Sequence, residues 1–443
     1  MSLDTYKRKV CESIDEKKEE LISIGEKILR NPELGFREED TAKLVKTVFK
    51  EMGIKYRDKI ALTGIKATIS GRKSSPNIAV LGELDAVISP NHSCANEKTG
   101  AAHACGHHTM MTNLFGVGFG LIDSGVMKNL DGSVTLFAVP AEECIEIEFR
   151  KKLMEEGKIE FLGGKQELIR LGEFDDVDMV MMFHPAPNTP NRFIQTNLSM
   201  NGFIGKIVRY TGRGSHAGAA PEKGINALNA AMIGLQAINS LRETFRDDDC
   251  IRVHPIITKG GEGVNIVPGE VIVESYVRAK NMDVLMETNK KVNRALEAGA
   301  IAIGCNIEIG DLPGYMPVVS NDVMTKIFSN NASEIIGREN VSEAHFHSAG
   351  SSDIGDVTQI IPGIQPFVGG FEGGLHSKDF KVVDREMAYI IPAKIMAMSI
   401  VDLLYEKANL AKQVLKERKK SKEEYLDEMK NMKKTIKKEY MES

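Results

Sequence analysis

Apolar residues recur every three to four positions across residues 4–30, where Ile14, Leu21, Ile22, Ile24 and Ile28 predict one buried helical face. Strand-like runs follow at 65–70 and 78–84, then an apolar helix-like run from about 109 to 122. Residues 134–139 form a buried-strand pattern that stops at Pro140, and 178–183 form another that stops at His184-Pro185. Strands alternating with helices predict an α/β sheet.

The pattern changes near Asn201. Residues 204–211 read as a strand, 225–241 as a helix, and 252–258 and 271–279 as two successive strands. The second of these alternates Val271, Val273, Ser275 and Val277 against its neighbours, as a half-buried strand does. A helix over 283–303 and a short strand over 306–309 complete the order β-α-β-β-α-β of a ferredoxin-like module. The expected organisation is a catalytic domain begun by 1–199 and completed by 311–405, an inserted domain over 200–310, and a charged C-terminal helix over 406–443. In that tail Tyr425, Met429, Met432, Ile436 and Tyr440 make a thin stripe at helical spacing. It fits either a solvated helix along one edge of the protein or a partner-binding helix.

Composition narrows the function. With 443 residues, 42% hydrophobic and 27% charged, the chain reads as an ordinary globular protein of about two domains. A net charge of −5 leaves no basic excess for phosphate neutralisation, so nucleic acid is not an expected partner. The charged N-terminal stretch from Met1 to Lys18 lacks a signal-peptide core, and no apolar run approaches membrane-spanning length. Six scattered cysteines without an export signal predict free thiols and a cytoplasmic location.

The chemistry concentrates just after the predicted strands, where open α/β sheets gather their binding crevices. In His103-Ala-Cys-Gly-His107-His108, the Cys105 thiolate and the His107 imidazole can reach one point from one short loop. Both are good ligands for first-row metals. Pro140-Ala-Glu142-Glu143 adds a carboxylate ligand and, beside it, a candidate general base. The candidate ligands are Cys105, His107, Glu143, His184 and His376, which suffice for two divalent ions if one group bridges them. Two such ions would make a water between them nucleophilic near neutral pH. Glu143 then serves as ligand, while Glu142 takes the water's proton and passes it to the leaving amine. Neither a Gly-x-Ser-x-Gly elbow nor an HExxH motif is present, so serine-hydrolase and zincin mechanisms find no support.

H-A-C-G-H, P-A-E-E, a strand ending in His184, Gly214-Ser-His216-Ala-Gly218, Asn265-Ile-Val-Pro-Gly-Glu-Val and Gly374-Leu-His376 occur here in a telling order. In that order they resemble the aminoacylase/carboxypeptidase G metallopeptidase family, specifically its amidohydrolase branch. The branch holds hippurate hydrolases, indole-acetyl-amino-acid hydrolases and p-aminobenzoyl-glutamate hydrolases, and the segment from Ser351 to Val357, followed by Pro362-Gly363, is most like the p-aminobenzoyl-glutamate and dipeptide-cleaving members. The resemblance spans about residues 20 to 405. It implies an α/β, zinc-peptidase-like catalytic domain with a mixed central sheet, plus an inserted ferredoxin-like lid and dimerisation domain.

By the same resemblance, Cys105, His107, Glu143, His184 and His376 hold two divalent ions, which zinc, manganese, cobalt or nickel could supply. Glu142 is the general base, and Asp85 supports the metal-side histidine from behind. His216 is presented by the inserted domain, commonly that of the other subunit, to steady the oxyanion. Asn265 and Arg278 help hold the substrate carboxylate. The implied enzyme is a metallo-amidohydrolase acting on a small N-acyl amino acid or dipeptide-like substrate, as a homodimer joined through the inserted domain. A dipeptidase needing a free amine and a non-catalytic metal-binding relative remain the alternatives.

Some residues depart from the pattern. His108 stands where many amidohydrolases of this branch carry aspartate. Glu83 replaces a common methionine, and more distant members place a histidine ligand there, which makes Glu83 a further candidate for metal contact. The segment 88–100 differs from the usual short linker and is a candidate pocket wall.

Overall fold

A computed structural model describes residues 2–417 and 419–441. The chain divides into two compact units. The first comprises 1–199, 319–346 and 356–422; the second comprises 200–318, 347–355 and 423–443.

The first unit is built on a six-stranded sheet. In chain order its strands are β1 (Tyr56–Ile60), β2 (Gly64–Lys73), β3 (Asn77–Glu83), β4 (Gly132–Val139) and β5 (Met179–Met181), with a short strand Gly363–Ile364 last. Their spatial order is β1-β2-β4-β3-β5 and then Gly363–Ile364. The sheet is mixed, because β1–β2 and β2–β4 pair antiparallel while β4–β3 and β3–β5 pair parallel. Every residue of β3 and β4 is buried, which explains their unbroken apolar runs. Because β3, β4 and β5 run parallel, with Glu83 opposite Val139 and Val80 opposite Met181, their carboxyl ends open on one edge.

The helix His107–Asp123 is buried on all sides from His107 to Leu121. It packs against the sheet at Gly82, where an added Cβ would lie 2.9 Å from Met111 Sδ. The helices Leu3–Glu16, Lys18–Leu29 and Ile391–Val414 enclose its other sides.

The second unit is a five-stranded antiparallel sheet. Four strands are β6 (Gly202–Thr211), β7 (Arg252–Lys259), β8 (Glu270–Ala279) and β9 (Asn306–Pro313), in the order β7-β8-β6-β9. The helices Ala227–Leu241 and Met282–Ile303 pack together on this sheet. This is the expected ferredoxin-like arrangement, with one addition. The chain's last strand, β10 (Lys434–Lys438), pairs antiparallel with β9, setting Ile436 opposite Ile309.

The tail is therefore not a single helix. Tyr425, Met429 and Met432 are buried on the helix Lys422–Met432, and the chain then extends into β10. The stripe at Ile436 and Tyr440 fits a period of two as well as a helical one. Edge pairing, a Lys437–Glu308 ion pair at 3.1 Å, and Tyr440 donating to Glu297 Oε1 at 2.5 Å favour the strand.

Candidate metal centre and active site

Three strand ends of the first unit converge on the loop that opens the helix His107–Asp123. β3 ends at Glu83 and leads to Asp85, β4 leads to Glu142 and Glu143, and β5 leads to His184. Gly106 turns the chain into the helix at φ +86, where a Cβ would lie 2.6 Å from Pro185 Cγ, so only glycine fits. The backbone N–H of His376 donates to Ala104 O at 2.8 Å, tying the distant Gly-Leu-His segment to the same loop.

Each of the inner histidines is aimed by a carbonyl. His107 Nδ1 lies 2.9 Å from Asp85 O and His184 Nδ1 lies 2.9 Å from Pro185 O, so both Nε2 atoms turn toward the cluster. Cys105 Sγ is 3.3 Å from His184 Nε2, and Glu143 Oε1 is 3.2 Å from His376 Nε2. His107 Nε2 lies 4.0 Å from both Glu142 Oε2 and Glu143 Oε1. The donor atoms fall into three overlapping groups compact enough to hold an ion: Cys105–His107–His184, Cys105–Glu143–His376 and Glu83–His107–Glu142.

The electrostatics fit a cation here. His107 Nε2, Glu143 Oε1 and Glu83 Oε2 are buried without hydrogen-bond partners. Such atoms cost on the order of 1–3 kcal/mol each, and divalent ions held in these groups would satisfy them. Burial, with the Glu143 carboxylate, pushes the Cys105 thiol well above its ordinary range, so a thiolate at this point needs a cation beside it. Burial also draws His184 down to about 4, which leaves a neutral imidazole with a free lone pair. For Glu143 burial acts upward, but the His376 imidazole beside it and the charge of His107 outweigh it and hold the carboxyl below its ordinary value.

The loop carrying the two glutamates is held on every side. Asp85 Oδ2 accepts the Glu143 N–H at 2.9 Å, while its other oxygen lies 3.4 Å from His107 Nδ1. Glu38 accepts the Ala141 N–H, and the fully buried Arg150 donates to Glu143 O and Leu162 O. Gly164 lies so close that a Cβ there would sit 1.6 Å from Pro140 O. Glu38, Arg150 and Lys165 are contributors that sequence reading missed. Each sits in a charged stretch that periodicity treats as solvated, and only tertiary contact reveals it.

His108 is buried and packs near Tyr389 and His103, with ring centroids 5.8 and 5.4 Å apart. Burial and the charge of His107 lower it to about 3, so it is a neutral imidazole. With His92 and Cys94 of the 88–100 segment it lines a cavity of about 210 Å³.

His216, Asn265 and Arg278 belong to the second unit. Exposed His216 accepts N–H groups of Gly218 and Ala219 at Nδ1, at 3.2 and 3.0 Å. Asn265 adjoins it, its carbonyl accepting the Ala217 N–H at 2.9 Å. Arg278 lies over the rings of Phe203 and Tyr276 and donates to Ser351 Oγ at 2.8 Å.

Fold, donor set and relatives define a hydrolase of C–N amide bonds with residues able to hold metal. The chain belongs to Peptidase family M20/M25/M40, whose profile matches residues 79–397. It is 29% identical over 430 residues to the Xaa-Arg dipeptidase of Mus musculus, covering 92% of this chain and 91% of that protein. It is 28% identical over 346 residues to the hippurate hydrolase of Campylobacter jejuni, covering 76% and 84%. A solved dinuclear metal-binding peptidase of the M20 family from Bacillus subtilis matches with a TM-score of 0.68 at 22% identity, covering 88% of this chain and 99% of that one. Among the described residues, no helix is long and apolar enough to cross a membrane.

Proposed function

We propose that the protein cleaves the amide bond of a small N-acyl amino acid or dipeptide-like substrate, using two divalent ions held by Cys105, His107, Glu143, His184 and His376. The observation that carries this reading is the buried cluster of unpartnered donors with Glu142 on the same rigid loop. When bound, the ions would polarise the scissile carbonyl and acidify a water. Glu142 takes the proton of the attacking water as the C–O bond forms, and delivers it to the amine nitrogen as the C–N bond breaks. Asp85 fixes His107 and the Glu143 backbone together, which holds base and ligands in register. His216 is assigned to the oxyanion, presented by a partner subunit in a homodimer joined through the ferredoxin-like unit, with Asn265 and Arg278 toward the substrate carboxylate.

The full-length likeness to a dipeptidase favours a second reading, in which the substrate keeps a free amine. Hydrolysis of matched acylated and unacylated dipeptides by protein reconstituted with zinc, manganese, cobalt or nickel separates the two. Chelation should abolish turnover. Glu142→Gln should lower kcat by about 10²–10⁴-fold with metal content unchanged. Turnover that survives chelation would overturn the mechanism.

A further inference from the structure

The cavity beside His108 lies within the first unit, bordered by the helix Lys18–Leu29, residues 92–94 and residues 380–389. Two of its walls are pinned to each other. The Cys94 N–H donates to His92 Nδ1 at 3.1 Å, which leaves the ring proton on Nε2 to donate to Phe380 O at 2.8 Å. A preformed space with a few polar groups on an apolar lining is what a small ligand needs. A cavity of about 150 Å³ already admits a benzene-sized molecule, so one of about 210 Å³ has room for a ring and a carboxylate.

Its polar groups favour an anion. His108 borders the cavity with 1% of its surface exposed, and neither ring nitrogen has a hydrogen-bond partner. An imidazole carries at least one N–H in either protonation state, so a buried donor stands unpaired here at a cost. Tyr389, whose ring centroid lies 5.8 Å from that of His108, adds a phenolic O–H to the same cavity. Lys381 and Arg385 bring two positive charges against the single carboxylate of Glu26. Lys381 lies 3.1 Å from Glu372 and Arg385 pairs with Glu26, yet the guanidinium retains further N–H donors. Leu29, Phe380 and Val382 supply the apolar lining.

We propose that this cavity is a second binding site, separate from the metal cluster, for a small monocarboxylate with an apolar body. The carboxylate accepts from His108 and Tyr389 in the field of Lys381 and Arg385, and the hydrocarbon part packs on Leu29, Phe380 and Val382. Amide hydrolysis releases acids of this class, but the assignment rests on the cavity and not on the proposed reaction.

The test is titration calorimetry of benzoate on the full chain, metal-loaded and after chelation. Benzoate also has access to the metal cluster, so the cavity's share is the binding that survives chelation. Leu29→Trp, which fills the apolar wall, should abolish that share while metal uptake stays as in wild type. His108→Leu should weaken it by about 10-fold or more, and benzamide, the uncharged isostere, should bind wild type more weakly than benzoate does. In crystals of metal-loaded protein soaked in 4-bromobenzoate, bromine anomalous scattering should place the ring in the cavity. The carboxylate should then lie within hydrogen-bond reach of a His108 ring nitrogen. Benzoate on the metals alone, ordered water alone in the cavity, or equal binding by wild type and folded Leu29→Trp overturns the proposal. Chelation-resistant hydrolysis, which overturns the metal mechanism, leaves this site untouched.

Discussion

Glu38 Oε1 accepts the backbone N–H of Ala141 at 2.8 Å, while its other oxygen accepts from Thr63 Oγ1 at 2.6 Å. Ala141 has a left-handed backbone at φ +54 and immediately precedes the proposed base, so this buried carboxyl supports a strained turn at the active loop. Glu38→Ala should therefore lower stability by about 1–3 kcal/mol and depress kcat more than KM. Thermal melts and steady-state kinetics check this. Loss of stability with unchanged kcat would show that the turn does not position Glu142.

The same group sets a pH dependence. Burial, reinforced by the Asp85 carboxylate, raises Glu38 from 4.5 to about 7. A raised carboxyl pKa means that the folded state binds the extra proton. The stability this confers is complete below 4.5 and is lost as pH rises toward 7, at about 1.4 kcal/mol per unit. Glutamine mimics the protonated form at every pH. In metal-stripped protein, the melting temperature of Glu38→Gln relative to wild type should rise steadily between pH 4.5 and 7. A flat difference would refute it.

Cys105 belongs to two of the three ion-holding groups, His184 to one. Cys105→Ala should weaken the uptake of both ions, whereas His184→Ala should weaken chiefly one, as measured by elemental analysis after desalting. The buried thiol is protonated at neutral pH without metal, so titrating stripped protein with zinc in weak buffer should release a proton that Cys105→Ala does not release.

The donor cluster was legible because metal chemistry restricts residue type, and because Glu143 and His184 follow strands with buried apolar runs. Cys105, His107, Glu143, His184 and His376 lie together in the first unit: Glu143 and His184 follow the parallel strands β4 and β5, Cys105 and His107 open the helix His107–Asp123, and His376 is tied to the same loop through Ala104. What supports them was not legible. Arg150 and Lys165 are fully buried cations in stretches that look solvated, and nothing local in either stretch marks a partner distant in sequence. The tail misled for a different reason. Its apolar residues are so sparse that helical and extended periods fit equally, and a free strand edge decided between them. β1 escaped notice because three of its five residues are exposed.

In the second unit, Lys206 is buried against Asp311, whose other oxygen accepts from Asn289 and Asn293 at 2.7 and 3.1 Å. Removing one member strands the other charge. Asp311→Ala should cost about 3–5 kcal/mol in denaturant unfolding. Lys206→Met/Asp311→Leu, which removes both charges, should cost much less. Equal losses would mean that packing, not charge, governs this site.

β10 covers the β9 edge that a four-stranded module would leave open, and its Lys434, Lys437 and Lys438 face solvent. A chain ending at Lys422 would lose this strand together with the buried Tyr425, Met429 and Met432. Burying each such side chain is worth roughly 1.5–3 kcal/mol, so the second unit should lose several kcal/mol. The truncated chain should also show faster amide exchange at Ile307, Ile309 and Asp311, which pair with β10 in the intact protein. Its bare β9 edge should drive association, visible by sedimentation as concentration-dependent species absent from the full chain. Unchanged exchange along β9 would mean that the last strand contributes nothing to the sheet it extends.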